Sequence, residues 1–517
     1  MKHFTQQWKK PLAAWVWAFA CAAGVVSVCS RSSFFYPLNN WGDAQCFFTV
    51  GKSMVRGQVL YRDIYEQKGP LVLFLHGLAS FVQRNGFLGV FLLEVLAAGV
   101  FLWFCQKIMA LYGAGSLRFA ALPLVLAVSF SCPSFQMGDS MEELCLPLFA
   151  AGLYLGLRAL RENRPLGWGG ALALGVLCGA VFWTKYTLCG IFAALGLVLF
   201  VHAIYRGGPK VAARLTAGFF GGFTLACLPW LLYFGLNGAL GDLWQCYFYN
   251  NLFLYGSGGS LSLAGVLAAV TNSLAYMLRL NWTFAVFAVA GLVWFVFWPE
   301  KGRGIWERVL VLACAVLMAV GIYGATSNAY IYYGMPFVLF VPLGFLALLG
   351  PAQILLKQIP LPAGLLSRVA VAAALVLGVG YALWHSPNRQ AFLQPLEQTV
   401  QYQFKQVVDQ SENRSMAMLH LLDGGFYTVC DVMPTQKFIG VFNLPLDEMN
   451  RQMETTLQTA DVEFVIARTE EEDKEQYKQE KEPAILERYE LVADGTEEYL
   501  RNRGYSTMHY YLYQRRS

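Results

Sequence analysis

Leu71–Val72–Leu73–Phe74–Leu75–His76–Gly77–Leu78–Ala79–Ser80–Phe81–Val82 is the run on which the topology of this chain turns. It is apolar throughout but only about a dozen residues long, where a membrane-spanning helix needs roughly 20. It therefore reads as a short interfacial or re-entrant helix. Gly69–Pro70 breaks the chain just ahead of it. Were it to cross the bilayer, every later connection would change sides.

Eleven longer apolar runs surround it: Leu12–Cys29, Gly86–Ala110, Leu117–Cys132, Leu144–Leu160, Leu166–Thr184, Cys189–Tyr205, Leu215–Leu236, Arg279–Trp298, Val309–Ala325, Tyr330–Leu349 and Val369–Trp384. With Leu71–Val82 left out of the membrane, alternate connections carry the cations. Lys2, Lys9 and Lys10 start the series. Lys107 and Arg118, Arg158, Arg161 and Arg164, then Arg206, Lys210 and Arg214 follow. Lys301, Arg303 and Arg308, and finally Lys357 and Arg368, complete it. Cytoplasmic loops carry such an excess. The expected topology is eleven spans in a cell membrane, N-terminus cytoplasmic, C-terminal region extracytoplasmic. The first run, with its basic start, reads as a retained signal anchor.

Composition agrees. Of 517 residues, 56% are hydrophobic and 14% charged, against about 25% charged in soluble proteins. The deficit ends near His385. The chain divides into a transmembrane domain, 1–384, with a large first outer loop over 31–85, and a soluble domain, 385–517. In the latter, Met416–Leu421, Phe426–Val432, Val462–Arg468, Tyr489–Ala493 and Tyr510–Gln514 read as strands. Gln390–Gln410 and Leu446–Thr459 read as helices. The expected fold is an α-helical polytopic membrane protein with a small C-terminal α/β layer. The twelve cysteines follow no metal or disulfide spacing. The basic loops are topology signals and imply no nucleic acid.

Candidate chemistry gathers on the outer side. The first outer loop holds Asp43, then Tyr61–Arg62–Asp63 and Glu66–Gln67–Lys68–Gly69–Pro70. The second, Ser131–Glu143, is short and holds Asp139, Glu142 and Glu143 without a cation. A third, Asn237–Leu278, carries the aromatic cluster Tyr247–Phe248–Tyr249 and a Gly-rich stretch, Gly256–Gly259. Each residue also has a plainer reading. Asp43 or Asp139 can cap a helix. Lys68, Lys185 or Arg279 can snorkel to headgroups. Tyr330, Tyr332 and Tyr333 can sit in an interfacial belt. His76 has no evident partner in the sequence.

An Asp soon after the first span, a Gly-x-x-x-Tyr-Arg-Asp stretch and a Lys-x-Pro-Leu entering a short helix resemble the membrane glycosyltransferases of the GT-C fold. The nearest branch is the bacterial relatives of protein mannosyltransferases and of the aminoarabinose transferase. The resemblance implies Asp43 as catalytic base and Lys68 as the cation at the carrier phosphate, with Lys185 and Arg279 as further donor-binding cations. It implies Asp139, Glu142 and Glu143 as second-loop acids, and Tyr61, Arg62, Asp63 and Glu66 as support. The family usually has Lys-Pro-Pro where this chain has Lys68–Gly69–Pro70. It also has an Arg-Tyr-x-x-x-x-Pro segment that here lacks its Arg, at Tyr330–Pro336.

The implied reaction is inverting transfer of a monosaccharide from a polyprenyl-phosphate carrier to a cell-envelope glycan, lipid or protein. A carboxylate serves as base and a cation stabilises the leaving phosphate. Asp43, Asp139 and Glu142 are the oxygen donors available should a divalent cation take part; members of the family differ on this. The alternatives are a transporter or flippase without covalent chemistry, and a scaffold that recruits partners. A transporter would place charged or broken helices at mid-membrane and show internal repeats. Here the charged candidates cluster at one face.

Overall fold

Among the described residues, eight helical stretches are long and apolar enough to cross a membrane. The computed structural model describes residues 11–255, 262–298, 303–324, 330–356, 363–501 and 504–516. Expectations that rest on Lys2, Lys9, Lys10, Gly256–Gly259, Lys301 and Lys357 fall outside those residues.

One stretch, Trp168–Leu236, contains three passes. A 3-10 turn at Tyr186–Cys189 ends the first. The remaining 47 residues, Gly190–Leu236, would reach about 70 Å as a straight helix, over twice the hydrocarbon thickness of about 30 Å. Gly208 divides them, with φ 75° and ψ −178°. The shorter helices Arg118–Phe130 and Trp282–Phe297 also run within the bundle.

Asn237–Leu278, expected as an outer loop, is helical over much of its length. It contains a π-helix, Trp244–Leu254, and an 18-residue helix, Leu263–Leu280. The second is long enough to cross, yet its contacts lie at one membrane face. Val266 packs at Gly324, where helix Ile305–Tyr323 ends. Beyond the other end, Asn281 Oδ1 accepts the N–H of Ser134, 2.8 Å away, in the turn after helix Arg118–Phe130. Ser134 Oγ in turn donates to Ile331 O. Leu263–Leu280 therefore lies along the face. Leu263, Leu267, Tyr276 and Leu278 are exposed and only Val270 and Met277 are buried. The following pass starts at Trp282, so Arg279 belongs to the surface helix.

Leu71–Val82 forms a ten-residue helix, Pro70–Ala79. It crosses the first-loop helix Gly42–Met54 where Gly51 meets Gly77. A Cβ on Gly51 would stand 2.2 Å from Leu73 O, and one on Gly77 2.5 Å from Gly51 O. The close approach buries the face that carries Leu73 and His76.

The C-terminal region forms a four-stranded sheet of β1 (Met416–Leu419), β2 (Phe464–Glu470), β3 (Tyr489–Arg501) and β4 (Gly504–Arg515), in the order β1-β2-β4-β3. β1 and β2 are parallel, with Leu419 opposite Ala467. The other pairs are antiparallel. Phe426–Val432, expected as a strand, is instead a one-turn helix, Phe426–Val429, buried on all sides. Gly425, with φ 92°, turns the chain into it, and the Asp423 carboxylate accepts the Gly425 N–H. Tertiary burial overrides β propensity there. The expected helix Gln390–Gln410 begins only at Val400.

The sheet does not have its interior to itself. Phe47, Val50, Tyr61 and Leu73 of the first loop join Met416, Phe426, Phe438, Phe464 and Tyr510 in one apolar core. This sets the sheet over the first loop.

Candidate active site

Helix Gly42–Met54 carries Asp43 in its first turn, where the helix dipole favours a carboxylate. Trp41 is the N-cap, and no side chain caps this end. Asp43 is thus not a cap. Instead it lines a cavity of about 500 Å³, together with Lys68. The two residues lie far apart in the chain, and the crossing of the two first-loop helices brings them together. Neither side chain makes a hydrogen bond or an ion pair with another described residue.

The loop between these helices is pinned. Tyr61, with φ 71°, donates its hydroxyl to Lys68 O at 2.5 Å and stacks on Phe234 at 5.4 Å. Asp63 accepts the Val59 N–H at 2.7 Å, and Arg62 bonds both Asp63 and Asn237 O. Tyr61, Arg62 and Asp63 therefore shape the loop and do not line the cavity.

At the end of the loop, Gly69 donates its N–H to Thr184 O at 3.1 Å. A Cβ there would stand 2.0 Å from Trp183 O. Only glycine fits there. Glu66 lines an adjoining cavity of about 250 Å³. Burial raises its pKa, partly offset by Lys68. Gln67 lines both cavities. Its Oε1 is buried with no hydrogen-bond partner among the described residues.

The second-loop acids lie elsewhere. His76, without an evident partner in the sequence, places Nε2 2.9 Å from both carboxylate oxygens of Asp139. Its Nδ1 faces Val72 O at 2.8 Å, an acceptor only. The pair therefore holds one further proton, on ring or carboxyl. Both side chains are fully buried. Asp139, with φ 66°, follows Gly138 in a tight turn, and its N–H is shared by Glu94 at 2.9 Å and Glu143 at 3.0 Å. Glu142 pairs with Lys185 at 2.5 Å, beneath the ring of Tyr333. Asp139 and Glu142 thus have ion-pair partners, whereas Glu143 shares the Asp139 N–H with Glu94 and keeps its Oε1 buried without a hydrogen-bond partner among the described residues. Asp139, Glu142, Glu143 and Lys185 do not line the cavity.

Among the described residues no three His, Cys, Asp or Glu side chains converge as metal ligands. The set Asp43, Asp139 and Glu142 does not fit a bound divalent ion, because two of its members are committed to His76 and Lys185. Arg279 sits on the surface helix, is exposed and does not line the cavity.

Other walls come from segments that sequence reading had set aside. Tyr330 and Tyr332, read as belt residues, line the cavity, and Tyr332 meets Trp41 edge to face at 5.4 Å. Tyr247, by contrast, is buried against Trp183. The roof is C-terminal. Asn443 donates to the Tyr330 hydroxyl at 3.0 Å, and Tyr499, Tyr505 and Ser506 of the β3–β4 hairpin overhang the space. The Tyr499 hydroxyl accepts the Gly42 N–H at 3.3 Å, one residue from Asp43. Glu497 accepts from Asn40 at 2.8 Å and Gln401 at 3.1 Å, while burial raises its pKa. No local pattern marks these roof residues; they are selected by the docking of the sheet.

No protein-family model matches the chain, nor does any curated protein. Solved structures do. The arabinofuranosyltransferase AftD from Mycobacteria aligns with a TM-score of 0.51 at 13% identity, over 96% of this chain and 40% of that one. ArnT from Cupriavidus metallidurans aligns with TM-scores of 0.49 in the apo state and 0.48 bound to undecaprenyl phosphate. Identities are 13% and 14%, over 96% of this chain and 98% of each ArnT chain. At such identities the likeness is one of fold: the chain has the architecture of the GT-C membrane glycosyltransferases.

Proposed function

We propose that the chain is an inverting glycosyltransferase that moves a monosaccharide from a polyprenyl-phosphate carrier to an acceptor on the outer membrane face. One observation carries this. A carboxylate at a helix N-terminus and an ammonium group, both without an ion partner among the described residues, line one cavity beside the apolar bundle. Asp43 takes the proton of an acceptor hydroxyl or amine. The acceptor atom bonds to the anomeric carbon as the bond to the phosphate oxygen breaks. The electron pair leaves with the phosphate, beside Lys68. Attack opposite the leaving group inverts the anomeric centre. The fold shared with an arabinofuranosyltransferase supports the reaction class.

In this reading residues 1–384 are the membrane-embedded transferase domain. Residues 385–517 form an extracytoplasmic layer that roofs it. The face that bears the sheet is the outer one, because Arg158, Arg161, Arg164, Arg206 and Arg303 gather at the other. A flippase needs no base in such a cavity.

The test uses proteoliposomes and a panel of labelled polyprenyl-phosphate pentoses and hexoses, with an envelope fraction as acceptor. Asp43→Asn should lower transfer about 10²- to 10⁴-fold, the usual contribution of a general base. Undiminished transfer by the inserted variant removes Asp43 from the mechanism.

A further inference from the structure

The two cavities at Asp43 share Gln67, Lys68 and Asn443 as walls. The smaller one reaches His420 and Arg468. Those two residues also wall a third cavity, of about 250 Å³, lined as well by Glu470, Asp473, Gln476 and Lys481. Three adjoining spaces thus lie in series beside Asp43, the last two sharing His420 and Arg468 as walls.

The position has a structural cause. His420 directly follows β1, and Arg468 lies on β2 beyond the last β1 pair, Leu419–Ala467. These are the carboxyl ends of the parallel pair, and ligands of parallel sheets bind outside carboxyl ends. His420 has φ 61°, a left-handed conformation uncommon for a residue with a Cβ. It turns the chain aside there.

The lining is suited to hydroxyl groups. The outermost space presents Arg468, Asp473, Gln476 and Lys481 around Tyr477, whose ring stacks on Tyr511 at 5.2 Å. Donors and acceptors mixed around an aromatic ring match a polyol, and apolar walls are few. Arg468 is in no ion pair with a described residue, and its guanidinium lies over the Tyr499 ring at 5.4 Å. Further in, the buried Gln67 Oε1 lacks a donor among the described residues, and a buried acceptor left without one is costly. A ligand hydroxyl would satisfy it.

Resting on the transferase reading above, we infer that the acceptor reaches Asp43 through this passage at the carboxyl ends of β1 and β2, and that the part it threads there is a hydroxyl-rich glycan chain. The lipid carrier would then approach from the bundle side and the glycan from the sheet side.

Gln476 is exposed at the mouth, and among the native cysteines all but the half-buried Cys189 are buried. Gln476→Cys can therefore be capped with a polyethylene-glycol thiol reagent through a reversible disulfide, with Lys481→Cys as a second site and wild type as the labelling control. The readout is labelled sugar moved from its polyprenyl phosphate into the envelope fraction, against sugar released to water. Capping should cut transfer at least tenfold and leave release to water within twofold, and reduction should restore transfer. Transfer unchanged by capping overturns the inference. So does a parallel loss of transfer and water release, which would mean that the donor chemistry itself was disturbed. If the uncapped protein neither transfers nor releases sugar from any donor, the transferase reading fails, and this inference with it.

Discussion

Gly69→Ala tests the central packing argument. Gly69 sits between Lys68 and the short helix, against the end of helix Trp168–Lys185. The new Cβ would stand 2.0 Å from Trp183 O and 2.8 Å from Thr184 O. Carbon–oxygen contacts run at about 3.3 Å, so the loop must retreat by about 1 Å. That retreat weakens the hydrogen bond from Gly69 N–H to Thr184 O. Overpacking costs about 1–3 kcal/mol and the hydrogen bond about 1 kcal/mol, so the variant should lose about 2–4 kcal/mol. A displacement of about 1 Å at a positioned group can cost about 10²-fold in rate, and Lys68 is the adjacent residue. Thermal unfolding of the full chain in detergent should show a midpoint several degrees low. Transfer in proteoliposomes should fall by about two orders of magnitude. Gly69→Pro, which creates a Lys-Pro-Pro sequence, should be worse, because it also removes the N–H. A Gly69→Ala protein with wild-type midpoint and wild-type turnover would refute the reasoning.

Three further outcomes follow from the site. His76→Leu leaves Asp139 buried without its partner and should cost about 3–5 kcal/mol, much of it recovered in His76→Leu/Asp139→Leu; a double-mutant cycle on unfolding midpoints reads the coupling. Glu66 has its pKa raised by burial, so its ionised form opposes folding. That opposition is absent below the unfolded-state pKa of about 4.3 and grows as pH rises through the raised folded value. Glu66→Gln should therefore melt above wild type at pH 7, with the advantage gone near pH 4. Arg279→Ala, on the surface helix, should keep transfer within twofold of wild type at saturating donor, and a large loss would place that helix at the donor site.

Much of this architecture was legible in the chain because hydropathy and helix length are local properties. The apolar runs marked the passes, the shortness of Leu71–Val82 kept it out of the membrane, and the break at Gly69–Pro70 fixed where Lys68 lies. Asp43 and Lys68 could be picked out as a carboxylate and a cation on one loop, and they do share a cavity. The apolar run within Asn237–Leu278 shows where local reading stops. Its composition permits a span, and only contacts at Gly324 and Ser134 lay it along the face.

Pairing was decided in three dimensions. Asp139, Glu142 and Glu143 look equivalent in sequence. Yet burial beside His76, beside Lys185 and at one backbone N–H gives each a different structural task. The roof of the cavity, from Asn443 to Tyr505, is similarly invisible in sequence, since it exists only because the sheet shares its core with the first loop. A residue's type sets which partners it can accept. Which partner it meets depends on contacts hundreds of residues apart, and no local window contains them.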